Sequence, residues 1–394
     1  MKRKIVAIML SVSMMAGMIT GCGGTGNTSK EEKTTQTEAT TEDTESTRTV
    51  TDSDGNEVEI PKEVTAVAPS IGAFAQVTEM LLNGEGKITA AATQQISDDF
   101  KSVFKDYTES NPDNYDASSV EDLIASGTQV VYGPKSAYTD EQIQQMEQAG
   151  IAFVNISNLS DSKSIMESFK LIGEILGDKE AERAEKFCDY YQDSIDDCQS
   201  RVEDLDDSSK AKVLRLGVNG GTYSTVNKTD IFNSIVEEAG GINVSADYEV
   251  TENGNGGQGQ STQSQGQTAQ GQGGQGQQGG GKAGLTVDAE QILQWNPDVI
   301  ITMSNDSVEE IKNDPALADV TAVKNGAVYN TPQGLYMWGV RSGENAMMTP
   351  WLGQILYPDL YKDIDMKQIV KDFYENWYNT ELDDAGAEAV LAGK

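Results

Sequence analysis

Two distant segments of the chain repeat the same order of residue types. Residues 118–124 (Ser-Ser-Val-Glu-Asp-Leu-Ile) precede a strand pattern at 129–132, and residues 287–293 (Val-Asp-Ala-Glu-Gln-Ile-Leu) precede another at 298–301. In both segments a Glu lies at the start of a short helical pattern, and the strand begins eight residues after that Glu. The repeat predicts two similar α/β halves, each of which presents one acidic side chain at a helix start.

The beginning of the chain predicts a lipoprotein leader. Three basic residues at 2–4 precede an apolar stretch at 5–19, which is short for a membrane span and suits a secretory signal. Ile-Thr-Gly before Cys22 resembles a bacterial lipobox, so we expect a signal peptide at 1–21 and lipidation of Cys22; an ordinary signal peptide with an incidental Cys is the alternative. The polar residues 22–48 cannot bury a core and predict a disordered tether.

Charge and residue usage narrow the function. The chain has 29 Lys and Arg against 63 Asp and Glu, a net charge of −34, which argues against nucleic acid as a partner. It contains no His, which removes imidazole metal sites and His-based nucleophile pairs, and we expect no metal site and no resident cofactor. Cys188 and Cys198 are ten residues apart on one predicted helix, about 15 Å along its axis. That separation is beyond disulfide reach, so we expect two buried thiols.

Strand and helix patterns alternate on both sides of one long helical pattern at 178–208. This alternation predicts mostly parallel sheets covered by helices, with an N-terminal lobe at 49–177 and a C-terminal lobe at 209–394. The long pattern carries a sustained apolar stripe and would extend about 45 Å, which suits a strut between lobes. A Gly- and Gln-rich segment at 253–284 predicts a disordered insertion in the second lobe. The expected fold class is α/β: two similar α/β lobes with central, mostly parallel sheets, joined by one long α-helix.

The second repeat and the residues after it resemble a known family. The segments Asn-Pro-Asp-Val-Ile at 296–300, Asp-Pro at 314–315 and Ala-Val-Lys-Asn-Gly at 322–326 are similar to the second-lobe signature of periplasmic binding proteins for ferric siderophores, haem and vitamin B12. The resemblance covers residues 49–378 apart from the insertion. It implies two lobes joined by one long helix, a metal chelate held between them, and no catalysis.

The resemblance also implies a docking role for the repeated Glu residues. In the family, each lobe carries a surface Glu that pairs with an Arg of a dimeric ABC permease, and Glu121 and Glu290 occupy the matching positions. Helix capping is the alternative, because Ser118 and Glu121 match a capping box and Asp288 is a plausible cap before Glu290. Two Glu residues at matched positions favour docking.

Loops after the predicted strands supply the candidate ligand-binding residues, because ligands bind outside the carboxyl ends of strands in open α/β sheets. In the loop at 333–341, aromatic rings offer rigid flat surface, and Arg341 can pair with carboxylate or phenolate oxygens. Packing of the rings into the core and pairing of Arg341 with Glu344 are the alternatives. The candidates are Ser70, Lys135, Tyr138, Tyr223, Asn305, Tyr336, Trp338 and Arg341.

Together with the lipobox, the resemblance implies an extracytoplasmic substrate-binding lipoprotein of an ABC importer, and not an enzyme. Its lipid would hold it on the outer face of the membrane of a Gram-positive-type bacterium, where it would capture a ferric siderophore-type complex for a dimeric permease. A corrinoid (vitamin B12) or haem carrier is the alternative within this class. A surface glycoside hydrolase with a carboxylate pair and a ligand sensor without a transporter are the alternatives from other classes.

Overall fold

The computed structural model describes residues 46–84, 87, 97–105, 107, 116–157, 159–249 and 284–394. The predicted signal peptide, Cys22 and the Gly- and Gln-rich insertion apart from Gly284 lie outside the described residues. Of the helices in the described part of the chain, none is both long enough and apolar enough to cross a membrane.

The described chain begins with a β-hairpin. Strand β1 (Thr47–Thr51) pairs antiparallel with β2 (Glu57–Pro61). The Asp52 carboxylate accepts hydrogen bonds from the backbone amides of Asp54 (2.9 Å) and Asn56 (2.8 Å), which holds the turn closed. β1 begins at Thr47, so its first two residues lie inside the tether predicted at 22–48.

Three parallel strands form the sheet of the N-terminal lobe. β3 (Val67–Pro69), β4 (Val130–Gly133) and β5 (Ala152–Asn155) pair in that order. β3 and β4 are buried along their whole length, as expected for strands covered by helices on both faces. The helices of this lobe are α1 (Gly72–Leu82), α2 (Asp98–Val103), α3 (Val120–Ala125), α4 (Asp140–Gln148) and α5 (Ser162–Leu176).

One long helix, α6 (Asp178–Val202), follows the first lobe. It begins at the predicted residue and, with 25 residues, extends about 37 Å. It ends six residues earlier than predicted, because the buried stripe stops at Val202 and the exposed Glu203 and Asp204 follow. Acidic side chains are unfavourable at the negative end of a helix dipole.

The strands of the C-terminal lobe are, in chain order, β6 (Lys212–Arg215), β7 (Gly217–Asn219), β8 (Thr222–Thr225), β9 (Ile242–Asn243), β10 (Leu285–Val287), β11 (Val299–Thr302) and β12 (Val328–Asn330). Its helices are α7 (Ile231–Glu238), α8 (Ala289–Trp295), α9 (Asn305–Asn313), α10 (Thr321–Lys324), α11 (Met348–Leu356), α12 (Met366–Tyr378) and α13 (Asp384–Leu391). The main sheet has the order β12-β11-β6-β9, and every pairing in it is parallel. A small antiparallel sheet, β10-β8-β7, lies beside it in the same lobe.

The two sheets and the long helix share one hydrophobic core. This core contains Val67 of the first sheet, Phe187 of α6, and Val213 and Val299 of the second sheet. Cys188 and Cys198 of α6 are buried and unpaired with each other, which confirms the expectation of two structural thiols. The architecture confirms the predicted fold class: parallel sheets in two α/β lobes joined by one long helix.

Candidate functional site

The carboxyl ends of β6 and β11 bring Arg215 and Met303 together. Arg215 is the last residue of β6 and pairs in register with Ile301 of β11. Met303 directly follows Thr302, the last residue of β11. The Arg215 guanidinium contacts the Met303 sulfur and forms an ion pair with Asp230 (Nη1 to Oδ1, 3.1 Å), and its side chain is 20% exposed. Burial lowers the pKa of Arg215; the Asp230 carboxylate opposes this shift, and the positive charge of the nearby Arg341 adds to it.

Arg341 is the second guanidinium at this position. Its Nε is buried and has no hydrogen-bond partner among the described residues. A buried N–H without a partner is rare in proteins and marks a position where an acceptor would be stabilised. The ion pair between Arg341 and Glu344, which was the alternative to ligand binding, is not formed.

The Glu344 carboxylate is used to hold the loop that carries Arg341. It is fully buried, and its oxygens accept hydrogen bonds from the amides of Gly334 (3.1 Å) and Leu335 (2.8 Å), the indole of Trp338 (2.9 Å) and the hydroxyl of Tyr378 (2.9 Å). Burial raises the pKa of Glu344 to about 7, although these donors oppose the shift. Donors from the loop itself and from Tyr378 at the end of α12 thus fix the shape of the loop.

The residues that directly follow this loop are also bonded to the N-terminal lobe and to the long helix. Gln76 of α1 accepts a hydrogen bond from the Gly343 amide (2.8 Å) and donates one to the Tyr378 hydroxyl (2.5 Å). The Asn345 side chain donates to the Tyr191 hydroxyl of α6 (2.6 Å). Arg341 is therefore carried by a segment that both lobes and the long helix hold in place.

Tyr336 links Arg341 to the start of α1. Its hydroxyl accepts a hydrogen bond from the Ala73 amide, in the first turn of that helix, and its side chain is 9% exposed. Burial raises the pKa of Tyr336 to about 12, and the nearby charge of Arg341 opposes the shift. The residue therefore connects the Arg341 loop to the strand-to-helix turn that contains Ser70.

Ser70 lies directly after β3, at the carboxyl edge of the first sheet. Its amide donates to the Tyr132 carbonyl (2.9 Å), whereas its buried Oγ has no hydrogen-bond partner in the described structure. A Cβ on Gly133 would collide with this Oγ, and Gly133 adopts a φ of +146°, so glycine is required there on both counts. We call Arg215, Tyr336 and Arg341, together with Ser70 in the turn that leads to Ala73, the arginine cluster.

Two predicted ligand-binding residues lie in the interior of the protein. Trp338 is 0% exposed and donates its indole N–H to Glu344, so its ring offers no face to a ligand. Tyr138 is 8% exposed, packs edge-on against Phe153 and donates its hydroxyl to the Ala117 carbonyl (2.9 Å). Packing into the interior was the alternative considered for Trp338. Tyr138 is as buried as Tyr336, and its role in ligand binding stays a prediction.

Three further candidates have their polar atoms engaged within the described chain. Lys135 is paired with Asp140 (3.0 Å), and Tyr223 donates its hydroxyl to Asp314. The side-chain amide of Asn305 donates to the Gly393 carbonyl (2.9 Å). Their role in ligand binding stays a prediction.

Sequence reasoning missed Arg215. The apolar pattern predicts one strand over 213–218, which hides an arginine inside it. In the structure the strand is interrupted at Leu216, and β6 ends at Arg215. A charged residue in the middle of an apolar run was the available signal.

The repeated Glu residues occupy the same position in matched helices. Glu121 is the second residue of α3, and Glu290 is the second residue of α8; both side chains are exposed. The caps are Ser119 and Asp288, whose side chains accept from the third residue of each helix. The capping residue of α3 is Ser119 and not the predicted Ser118, because the helix starts one residue later than predicted. Among the residues that the structure describes, neither Glu forms an ion pair.

The described residues contain no group of three or more Cys, Asp or Glu side chains that could hold a metal ion. The polar atoms of the arginine cluster are guanidinium and hydroxyl groups, which bind anionic oxygens.

Comparison with known proteins agrees with the fold. Residues 113–335 match the family model described as periplasmic binding protein. The molybdate-binding protein MolA of Haemophilus influenzae is 35% identical over 97 residues, which cover 24% of this chain and 28% of MolA. An uncharacterized ABC transporter substrate-binding lipoprotein of Bacillus subtilis, YvrC, is 20% identical over 365 residues, which cover 92% of this chain and 100% of YvrC.

Solved structures show the same architecture. A periplasmic solute binding protein from Veillonella parvula superposes with a TM-score of 0.67 at 22% identity, over 88% of this chain and 97% of that one. MolA bound to molybdate superposes with a TM-score of 0.65 at 19% identity, over 85% of this chain and 99% of MolA. The family match covers more than half of the 394-residue chain, and we conclude that this protein belongs to the periplasmic binding protein family.

Proposed function

We propose that this protein is the extracytoplasmic substrate-binding lipoprotein of an ABC importer. Family membership and the full-length similarity to a substrate-binding lipoprotein support this role. Cys22 would carry the lipid and anchor the protein to the membrane. The protein would capture its ligand between the lobes and deliver it to a dimeric permease, without catalysis.

We further propose that the ligand is anionic and binds at the arginine cluster. The observation that carries this proposal is the buried, unpartnered Nε of Arg341, whose charge lies near enough to Arg215 to lower the pKa of that guanidinium. Ser70 adds a buried hydroxyl from the other lobe. Two guanidinium groups close together repel each other, and an anion between them would offset this repulsion. In a chain with a net charge of −34, such a cationic position is unexpected without a ligand.

Two classes of anionic ligand fit this position. The first is a ferric siderophore-type complex, whose carboxylate or catecholate oxygens would pair with the guanidinium groups. The second is a compact oxyanion, favoured by the similarity to MolA and by the burial of Trp338, which leaves that ring unable to stack on a large conjugated ligand. The hydrolase alternative gains no support from the cluster, because its neighbouring carboxylate, Asp230, is already paired with Arg215.

Isothermal titration calorimetry tests the proposal. The purified protein is titrated with molybdate, tungstate, sulfate, ferric citrate, a ferric catecholate siderophore, haemin and cyanocobalamin. We expect one anionic member to bind, and we expect Arg341→Met to weaken that binding at least tenfold, because a charge-assisted hydrogen bond contributes about 1.5–3 kcal/mol.

Lys324→Met removes one positive charge at an exposed ion pair with Asp319 and serves as the control. Its affinity should equal that of the wild type. Equal affinity of the Arg341→Met variant, or binding of cyanocobalamin alone, would show that the arginine cluster is not the binding position.

A further inference from the structure

One buried carboxylate lies where the two lobes meet. Glu238 is the last residue of α7 in the C-terminal lobe, and it is 8% exposed. Its Oε2 accepts a hydrogen bond from the hydroxyl of Ser162 (3.0 Å), which is the first residue of α5 in the N-terminal lobe. A carboxylate of one lobe therefore holds the first turn of a helix of the other.

Two more hydroxyl groups complete the surroundings of the Glu238 carboxylate. Ser234, one turn earlier in α7, donates to Oε1 (2.7 Å), and Thr349 of α11 donates to Oε2 (3.2 Å). Ser234 also accepts a hydrogen bond from the Ser162 amide (3.4 Å), so a second bond crosses between the lobes at this point. In the described part of the chain, the hydrogen-bond donors to this carboxylate are thus all hydroxyl groups.

The titratable groups around Glu238 do not neutralise a negative charge there. Asp161, the cap of α5, carries the same sign and raises the pKa of Glu238, and the adjacent Glu237 is exposed. Tyr191 and Cys198 lie near it on α6, and burial raises the pKa of both groups, which keeps them neutral. The helix α11 carries no charged side chain. Among the residues that the structure describes, Glu238 forms no ion pair.

The chemistry of these partners makes the contact sensitive to protons. Burial raises the pKa of Glu238 above its ordinary value of 4.5, although the three hydroxyl donors oppose the shift. A hydroxyl group can accept a hydrogen bond as well as donate one, so a neutral carboxyl group keeps its contacts when one hydroxyl rotates. A buried carboxylate without a cation is costly, because its donors replace only part of its hydration. The contact between the lobes therefore favours the neutral form of Glu238.

We propose that Glu238 and its three hydroxyl partners, Ser162, Ser234 and Thr349, form a proton-sensitive clasp between the lobes. In acid, Glu238 takes up one proton from solvent, and its carboxyl group donates a hydrogen bond to one of the hydroxyl oxygens. At higher pH this proton returns to solvent, and the charged carboxylate favours local opening of the contact, which admits water.

The direction of the effect follows from proton binding. The closed contact binds a proton more tightly than the opened one, because burial raises the pKa of Glu238. The stabilisation is fully present below the ordinary pKa of 4.5 and is lost as the pH rises through the raised pKa. In a substrate-binding protein, the clasp would slow ligand exchange in acid. That consequence rests on the proposed function, whereas the clasp itself does not and is tested without a ligand.

Hydrogen–deuterium exchange of the purified protein at pH 5 and pH 8, corrected for the intrinsic effect of pH on exchange, tests the clasp. We expect the protection of residues 162–168, at the start of α5, to fall about threefold or more between these pH values in the wild type. Glu238→Gln keeps the size of the side chain but cannot titrate, and it should lose most of this fall. Residues 334–338, which Glu344 holds, should respond alike in both proteins.

Glu237→Gln removes the exposed neighbouring carboxylate, makes the same change in net charge and should behave as the wild type. A measurement on the wild type covers the case in which Glu238→Gln folds poorly. In protein labelled with ¹³C at the Glu carboxyl carbons, the Glu238 signal, assigned from its loss in Glu238→Asp, should titrate above its ordinary pKa of 4.5. An equal loss of protection in the wild type and Glu238→Gln, or an ordinary titration of this signal, would disprove the clasp and leave the importer function standing.

Discussion

Buried polar side chains fix the loop that carries Arg341. The Glu344 carboxylate accepts hydrogen bonds from Gly334, Leu335, Trp338 and Tyr378. These donors replace the water that a buried charge would otherwise need. The donors do not fully compensate, since burial still raises the pKa of Glu344 to about 7. A residue that organises the loop of Arg341 thereby makes the stability of the protein depend on pH.

The direction of this dependence follows from proton binding. The carboxyl of Glu344 has an ordinary pKa of 4.5 and a folded-state pKa of about 7, so the folded protein binds more protons between these values. The free energy of unfolding should therefore fall as pH rises from about 4.5 to about 7 and stay level above that, with a contribution from this group of roughly 3 kcal/mol. Urea unfolding at pH 5 and pH 8 measures the difference.

Glu344→Gln removes the titrating group and is compared at the same two pH values. The wild type should lose more stability than the variant between pH 5 and pH 8. Glu238, whose pKa is also raised by burial, is unchanged in both proteins and cancels in the comparison. Identical pH dependence in the two proteins would mean that Glu344 does not titrate in this range.

At the scale of elements, the contact between α5 and α6 holds the long helix against the first lobe. Gly173 of α5 allows this approach: a Cβ there would lie 2.7 Å from the Ala184 Cβ and 2.9 Å from the Glu180 carbonyl oxygen. Both neighbours belong to α6, and a backbone carbonyl cannot move aside. The separation of the two helices is therefore set by the absence of one methyl group.

Gly173→Ala should destabilise the protein by about 1–3 kcal/mol, because overpacking a tight helix contact costs that much, even though alanine favours the helix itself. Glu174→Ala, at the exposed neighbouring position, is the control and should change stability little. Chemical unfolding of both variants measures the difference. An unchanged or raised stability for Gly173→Ala would show that the helices can separate without cost.

The elements themselves were largely predictable from local patterns. The two repeats yield helix α3 before β4 and α8 before β11, as the spacing predicts, because helix caps and buried strands are local signals. The start of α6 at Asp178 was also predicted to the residue. Its end was not, because the last turn depends on burial against other elements.

The candidate site was less predictable because its contacts are long-range. Trp338 lies between glycines and looks exposed in the sequence, yet it is fully buried and donates its indole N–H to Glu344, which also accepts from Tyr378. Whether Arg341 can pair with Glu344 depends on Tyr378, which donates to that carboxylate, and on Gln76, which donates to Tyr378; both are far away in the chain. Spacing between residues does not determine such contacts.

At the scale of the whole molecule, one core couples the two lobes. Phe187 of α6 packs in the same cluster as Val67 of the first sheet and Val213 of the second. The arginine cluster draws on both lobes, with Ser70 from one and Arg341 from the other. A ligand bound there would be presented by a single stiff body, and each lobe would offer one exposed Glu to a permease.

Uptake by cells that carry charge-reversed protein tests the central claim most directly. Cells whose only copy of the protein carries Glu121→Arg and Glu290→Arg are given the radiolabelled anion that calorimetry identifies. The affinity of the purified variant for the same anion is measured in parallel. Glu182→Arg with Glu309→Arg, at exposed positions of two other helices, α6 and α9, makes the same change in net charge and serves as the control. We predict that the docking variant binds its ligand like the wild type and imports none, while the control imports normally; normal uptake by the docking variant would contradict the account.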